Sequence, residues 1–104
     1  MKFIEIILTK KDLRTNRKEV DRCLITDFMA VTRYSDPNKS FQIYNQKRKE
    51  GKQNVAWTRG VLTEEYPDTK KEEIKKMMIE QIELLKEKMK KELVISYVIT
   101  EKEK

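Results

Sequence analysis

Apolar residues fall in short runs between charged stretches along most of this chain, and one stretch alone repeats them at helical spacing. Pro67 stops whatever precedes it, and Thr69 followed three residues later by Glu72 has the form of a capping box. Ile74, Met78, Ile82, Leu85 and Met89 then recur at intervals of three and four, which predicts a helix over about residues 69–92.

The other runs are rich in branched and aromatic residues and read as strands. KFIEIILT (2–9) is the first, and Val20 to Tyr34 is the second, long enough to require a bend or bulge. SDPNKS (35–40) reads as a turn by its Asp-Pro-Asn content. FQIYNQK (41–47) and QNVAWTRGVLTE (53–64) then form two arms of a hairpin around KEGK, and LVISYVIT (93–100) closes the chain. The predicted fold is α+β: a mainly antiparallel, curved, five-stranded sheet in the order β-β-β-β-α-β with one long helix on one face. The last strand is expected to cross over and lie antiparallel beside the first. Residues 1–100 are expected to form a single domain, and 101–104 (EKEK) a disordered tail.

One helix shields only one sheet face, yet the strands are apolar on both. Leu93, Ile95, Tyr97 and Ile99 alternate with Val94 and Val98, and Cys23 to Val31 behaves likewise. Met77 and Leu84 add a flank to the helix beyond the width of one sheet contact. The sheet must curl into a barrel, pair with a second subunit or meet another partner, and the expected state is a homodimer through the uncovered face, the Met77 and Leu84 flank, or both.

Charge changes the picture because of where it lies. The 104 residues include 24 basic and 18 acidic side chains, a net charge of +6. Residues 10–18 and 47–59 each carry five basic and one acidic side chain, so these two stretches hold more than the whole net charge. An up-and-down meander would place both at one end of the sheet and Glu64, Glu65 and Asp68 at the other, a polarity that steers anionic partners. The expected function is therefore non-enzymatic binding, with weak, sequence-tolerant attachment of single-stranded nucleic acid. The expected contacts are Lys10, Lys11, Arg14, Arg17, Lys18, Lys47, Arg48, Lys49, Lys52 and Arg59, with Tyr44 stacking on a base. The bland alternative is that these are solvated turn residues. Trp57 shares a face with Val55 and reads as core. A rival class is an accessory protein, of the kind carried by phages and mobile elements, that grips an acidic protein partner.

Other chemistries find no support in the residue types. The chain has no histidine and one cysteine, which excludes a zinc site and the His-dependent nucleophile systems, and no cofactor or metal is expected. Cys23, within an apolar run, reads as a small buried hydrophobe. Asp27 is the one carboxylate inside an apolar strand, and a bulge that turns it outward is its expected explanation. The two glycines form no phosphate-binding loop. With no apolar run long enough for a membrane span and no signal-peptide pattern, a cytoplasmic location is expected.

Overall fold

The computed structural model describes residues 2–103. It is α+β, with a six-stranded, wholly antiparallel sheet and two helices. In chain order the elements are β1 (Lys2–Asp12), β2 (Lys18–Thr26), β3 (Met29–Arg33), α1 (Pro37–Lys49), β4 (Val55–Thr58), β5 (Val61–Glu65), α2 (Lys71–Met89) and β6 (Leu93–Glu103). Across the sheet the strands run β4-β5-β3-β2-β1-β6. The expected crossover is present: β6 returns beside β1, antiparallel, with Ile6 opposite Ile99.

The expected count of five strands and one helix is corrected to six and two, and each correction has a local cause. The run 20–34 is not one bent strand. It is a hairpin that turns at Asp27 and Phe28, where Phe28 takes a left-handed φ of 71°. A bulky residue at positive φ is uncommon, so the turn carries none of the usual Gly or Asn signal. The run 53–64 likewise splits, at Arg59 and Gly60 with φ of 48° and 85°.

The hairpin predicted with arms 41–47 and 53–64 around KEGK does not form. Asp36 and Pro37, read as a turn, start α1: the Asp36 carboxylate accepts the backbone N–H groups of Asn38 and Lys39, and Pro37 occupies the first turn. KEGK, read as a hairpin tip, ends the same helix. Gly51 adopts φ 87°, its N–H reaches the Arg48 carbonyl, and the Lys52 N–H reaches the Lys47 carbonyl, a Schellman closure. β6 runs on to Glu103, so Glu101–Glu103 pair with Lys2, Phe3 and Ile4 where a tail was expected.

Both helices pack on one face. Ile4 and Ile6 of β1, Cys23 and Ile25 of β2, Ala30 of β3 and Ile74 of α2 form the buried core, with Met78, Ile79, Ile82, Tyr66 and Tyr97 around it. At the β4 end Trp57 is half-buried on this face, as its alternation with Ala56 and Thr58 implied. Its indole N–H donates to Ser40 Oγ at 2.7 Å, and its ring meets Phe41 at 4.9 Å, which fixes α1 to the sheet edge. The sheet is open, with β4 and β6 at its two edges, so the barrel alternative is not what forms.

Candidate nucleic-acid interface

The strand directions decide which basic residues can act together. The β1–β2 loop, the end of β3, the β4–β5 turn and the start of β6 lie at one end of the sheet. Lys11, Arg14, Arg17, Lys18 and Arg59 belong to this end. α1 starts at the same end and runs to the other, where β4 begins, and carries Lys47, Arg48, Lys49 and then Lys52 away with it. The expected convergence of both basic stretches is therefore corrected: a helix spans the length that the hairpin would have folded back.

Two expected contacts are internal. Lys10 Nζ lies 3.3 Å from Asp21 Oδ2 on the helix-covered face, both side chains nearly buried, and Asp21 also accepts from the Ser35 N–H and hydroxyl. Lys47 Nζ lies 3.1 Å from Glu64 Oε2, an atom that also accepts the Tyr66 hydroxyl at 2.7 Å. Burial and that bond to a carboxylate drive the Tyr66 phenol well above its ordinary range. Each pair ties together elements the fold needs, and neither lysine is available to a phosphate. Tyr44 is half-buried on α1 and stacks against Phe41 at 6.3 Å, so the proposed base platform is part of the helix packing.

The β1–β2 loop is held in shape by the single acid of its basic stretch. Asp12 Oδ1 accepts the N–H groups of Arg14 and Thr15, and these bonds hold its carboxyl below the ordinary value. Asn16 supplies the left-handed residue at φ 63°. The result presents Arg14 and Arg17 to solvent.

The uncovered sheet face holds what the sequence reading missed. Register places Arg22 directly opposite Arg33, and Lys11 directly opposite Lys18. Arg22 and Arg33 line a shallow groove on the face away from the helices with Glu5, Leu24 and Val31. Lys11 shares that face by alternation with Lys10, which lines the space beneath the helices, and Lys18 by standing opposite Lys11. None of the four is within ion-pair distance of a carboxylate among the described residues. The one nearly buried acid on this face, Glu5, is already paired with Lys102 at 2.9 Å. Apolar residues fill the same face: Ile7 and Val61 flank the arginine row, and Val20 and Leu24 are exposed beside it. The signal was legible, since Lys18, Val20, Arg22 and Leu24 alternate with Glu19, Asp21, Cys23 and Ile25, but reading 20–34 as one long strand, with Cys23 to Val31 apolar on both faces, obscured it.

On the covered face a cavity of about 170 Å³ opens between the helices, lined by apolar side chains that include Ile43, Met78 and Leu85, with the Lys10–Asp21 pair at its wall. Gln81 lines it from α2, and Met77 and Leu84 share the Gln81 side of the helix by their spacing. The flank assigned to a dimer thus looks toward α1, an element absent from the expectation. Met77 is half-buried there and Leu84 is 71% exposed. Cys23 lines the same cavity, and burial pushes its thiol up to about 11.

Among the described residues no group of three or more acidic or cysteine side chains is gathered in a metal-binding cluster, and no helix is long and apolar enough to cross a membrane. The chain matches no family model, and no curated protein and no solved structure matches it.

Proposed function

We propose that the open sheet face binds single-stranded nucleic acid weakly and with little sequence preference. The observation that carries this reading is the pair of like-charge juxtapositions in the strand register, Arg22 opposite Arg33 and Lys11 opposite Lys18. Like charges set directly across a strand pair cost stability, and an anion lying between them removes that cost. Phosphates supply such anions at regular spacing, and Arg14, Arg17 and Arg59 at the rim extend the positive field. Guanidinium planes stack on unpaired bases, and Ile7 and Val61 at the ends of the arginine row, with Val20 between the two charged rows, offer an apolar bed. The half of the face that carries these rows has no aromatic side chain, which accounts for the weak affinity assigned.

Fluorescence anisotropy with a labelled mixed-sequence oligonucleotide at low salt tests the reading. Arg22→Glu with Arg33→Glu is expected to abolish binding, while Arg48→Glu with Lys49→Glu leaves it nearly unchanged. The opposite ranking, or no binding at tens of micromolar protein, overturns it.

A second reading, an acidic protein segment on the same face, is favoured by the exposed Val20 and Leu24 on either side of Arg22 along β2. Polyglutamate that displaces the oligonucleotide at equal charge concentration would favour it over nucleic acid.

A further inference from the structure

β6 is an edge strand of eleven residues, LVISYVITEKE, and its outer side has no strand beside it. The opposite edge, β4, is four residues long. Natural proteins blunt long edges with proline, bulges, or charges within the strand. β6 has no proline, pairs with β1 without interruption from Leu93 to Glu103, and keeps its charges to the last three positions. Its first seven residues are apolar apart from Ser96, and Val94 and Val98 are 52% and 60% exposed. Such an edge is a template for another strand.

We propose that it pairs antiparallel with β6 of a second copy, about a two-fold axis through Ser96 and perpendicular to the sheet. The segment LVISYVI is self-complementary in that register. Val94 falls opposite Val98 of the second copy on the open face, while Leu93 meets Ile99 and Ile95 meets Tyr97 on the helix side, each pair occurring twice. Antiparallel pairing must keep side chains on their own faces, so the register can shift only in steps that preserve this. The next register in one direction sets Glu101 against Leu93, and the next in the other sets Glu92 against Val98. Only the register centred on Ser96 keeps apolar residues together, and it brings Glu101 of each copy toward Lys91 of the other.

The pairing also extends the open face. Lys18, Lys11 and Val94 share one cross-strand row, and Val98, Ile7, Arg22 and Arg33 share another. Setting Val94 against Val98 joins the two end to end. The second copy therefore completes a basic track that begins with the lysine pair of one chain and ends with the arginine pair of the other, about 29 Å across six strand spacings. The track's use for nucleic acid rests on the function proposed above. The strand pairing does not.

Sedimentation of the protein without nucleic acid separates the two. The full chain is expected to sediment at twice its 12.6 kDa mass. Val94→Lys with Val98→Lys sets lysine against lysine twice across the junction and is expected to give a monomer. Val94→Lys with Val98→Glu sets opposite charges together in this register alone and is expected to restore the dimer. Leu84→Glu is expected to leave the size unchanged. A monomeric wild type, a Lys/Lys variant that stays dimeric, a Lys/Glu variant that is folded and monomeric, or a Leu84→Glu variant that dissociates would each overturn the pairing, whether or not any oligonucleotide binds.

Discussion

Asp27 lies in the turn between β2 and β3, yet its Oδ1 accepts the backbone N–H of Lys71, the first residue of α2, at 2.8 Å. α2 has no side-chain cap of its own, since its N-cap residue is Lys70 and the Thr69 to Glu72 pattern does not form the box it resembles. The cap comes from 44 residues earlier in sequence. The same strap is closed by the Phe28 N–H donating to the Thr69 carbonyl, by the Tyr66 N–H donating to the Phe28 carbonyl, and by the Lys70 ammonium 5.1 Å from the Phe28 ring centre. The carboxylate inside an apolar run, expected to be turned outward by a bulge, is therefore explained by a hairpin turn that brings it to the start of a helix.

Asp27→Ala is expected to lower the thermal midpoint by fraying the first turn of α2, and Asp27→Asn to lower it less, because the amide oxygen still accepts. The N–H bond from Lys71 holds the carboxyl below its ordinary value of 3.8. A depressed folded-state value means that the stabilisation is present above that ordinary value and is lost as pH falls through the folded one. Thermal melts of wild type and Asp27→Ala should therefore differ at pH 7 and converge at strongly acidic pH. A constant gap across that range would contradict the cap.

Lys47 illustrates what charge counting in the sequence conflates. Its ammonium is enclosed with Glu64, and removing one member of a buried pair leaves the other charge unpartnered. Lys47→Ala is expected to cost about 3 kcal/mol in urea unfolding. Lys47→Met combined with Glu64→Gln should cost less than the single change, since no buried charge then remains. Charge reversal at Lys47 would impair the fold itself, so loss of binding in such a variant says nothing about phosphate contact.

The class of fold was legible where periodicity and tertiary packing agree. Ile74 and Met78 repeat helically because α2 buries one stripe, and β1 and β6 are recognisable because both are long and rich in branched residues. α1 was illegible because its apolar residues Phe41, Ile43 and Tyr44 are few and its most buried side chain is Ser40, so the interior pattern resembles a short strand. Its two ends were nonetheless written plainly, as Asp-Pro at the start and Gly51 at the close. The site was legible at Lys11, Arg14, Arg17, Lys18 and Arg59, which stay at one end. Arg22 and Arg33 could not be paired from sequence, because their opposition depends on a turn at Asp27 and Phe28 that no glycine announces.

Ile74 is fully buried against the sheet and is the one wholly enclosed side chain of α2. Ile74→Ala is expected to cost about 2–5 kcal/mol through lost burial and the cavity left behind. Ile74→Val should cost about 1 kcal/mol. Chemical denaturation followed at Trp57, which reports the far edge of the sheet, should show the same loss if the sheet and both helices unfold together.

Cys23 is nearly buried, and its thiol is raised to about 11, first by desolvation and against the opposing bond with Thr32. At pH 7 roughly one molecule in ten thousand then carries the reactive thiolate. A thiol-specific chromogenic reagent should label the native protein orders of magnitude more slowly than the urea-unfolded chain. Labelling at equal rates would mean that the cavity beneath α1 and α2 opens freely.

The salt dependence of oligonucleotide binding discriminates the open face from the α1 end. Four side chains, Lys11, Lys18, Arg22 and Arg33, face one surface without acidic partners among the described residues. If each neutralises one phosphate of a single strand, log affinity falls against log salt with a slope of about −3. Replacing Lys11 and Lys18 by Gln removes two of those contacts and should flatten the slope to about −1.5, whereas the same change at Lys49 and Lys52 should leave it near −3. Tyr44→Ala should weaken binding no more than its effect on α1 packing implies, because the ring is held against Phe41. If instead Lys49, Lys52 and Tyr44 carry the slope and the affinity, the ligand lies along α1, and the like-charge rows of the sheet are a cost that the fold bears alone.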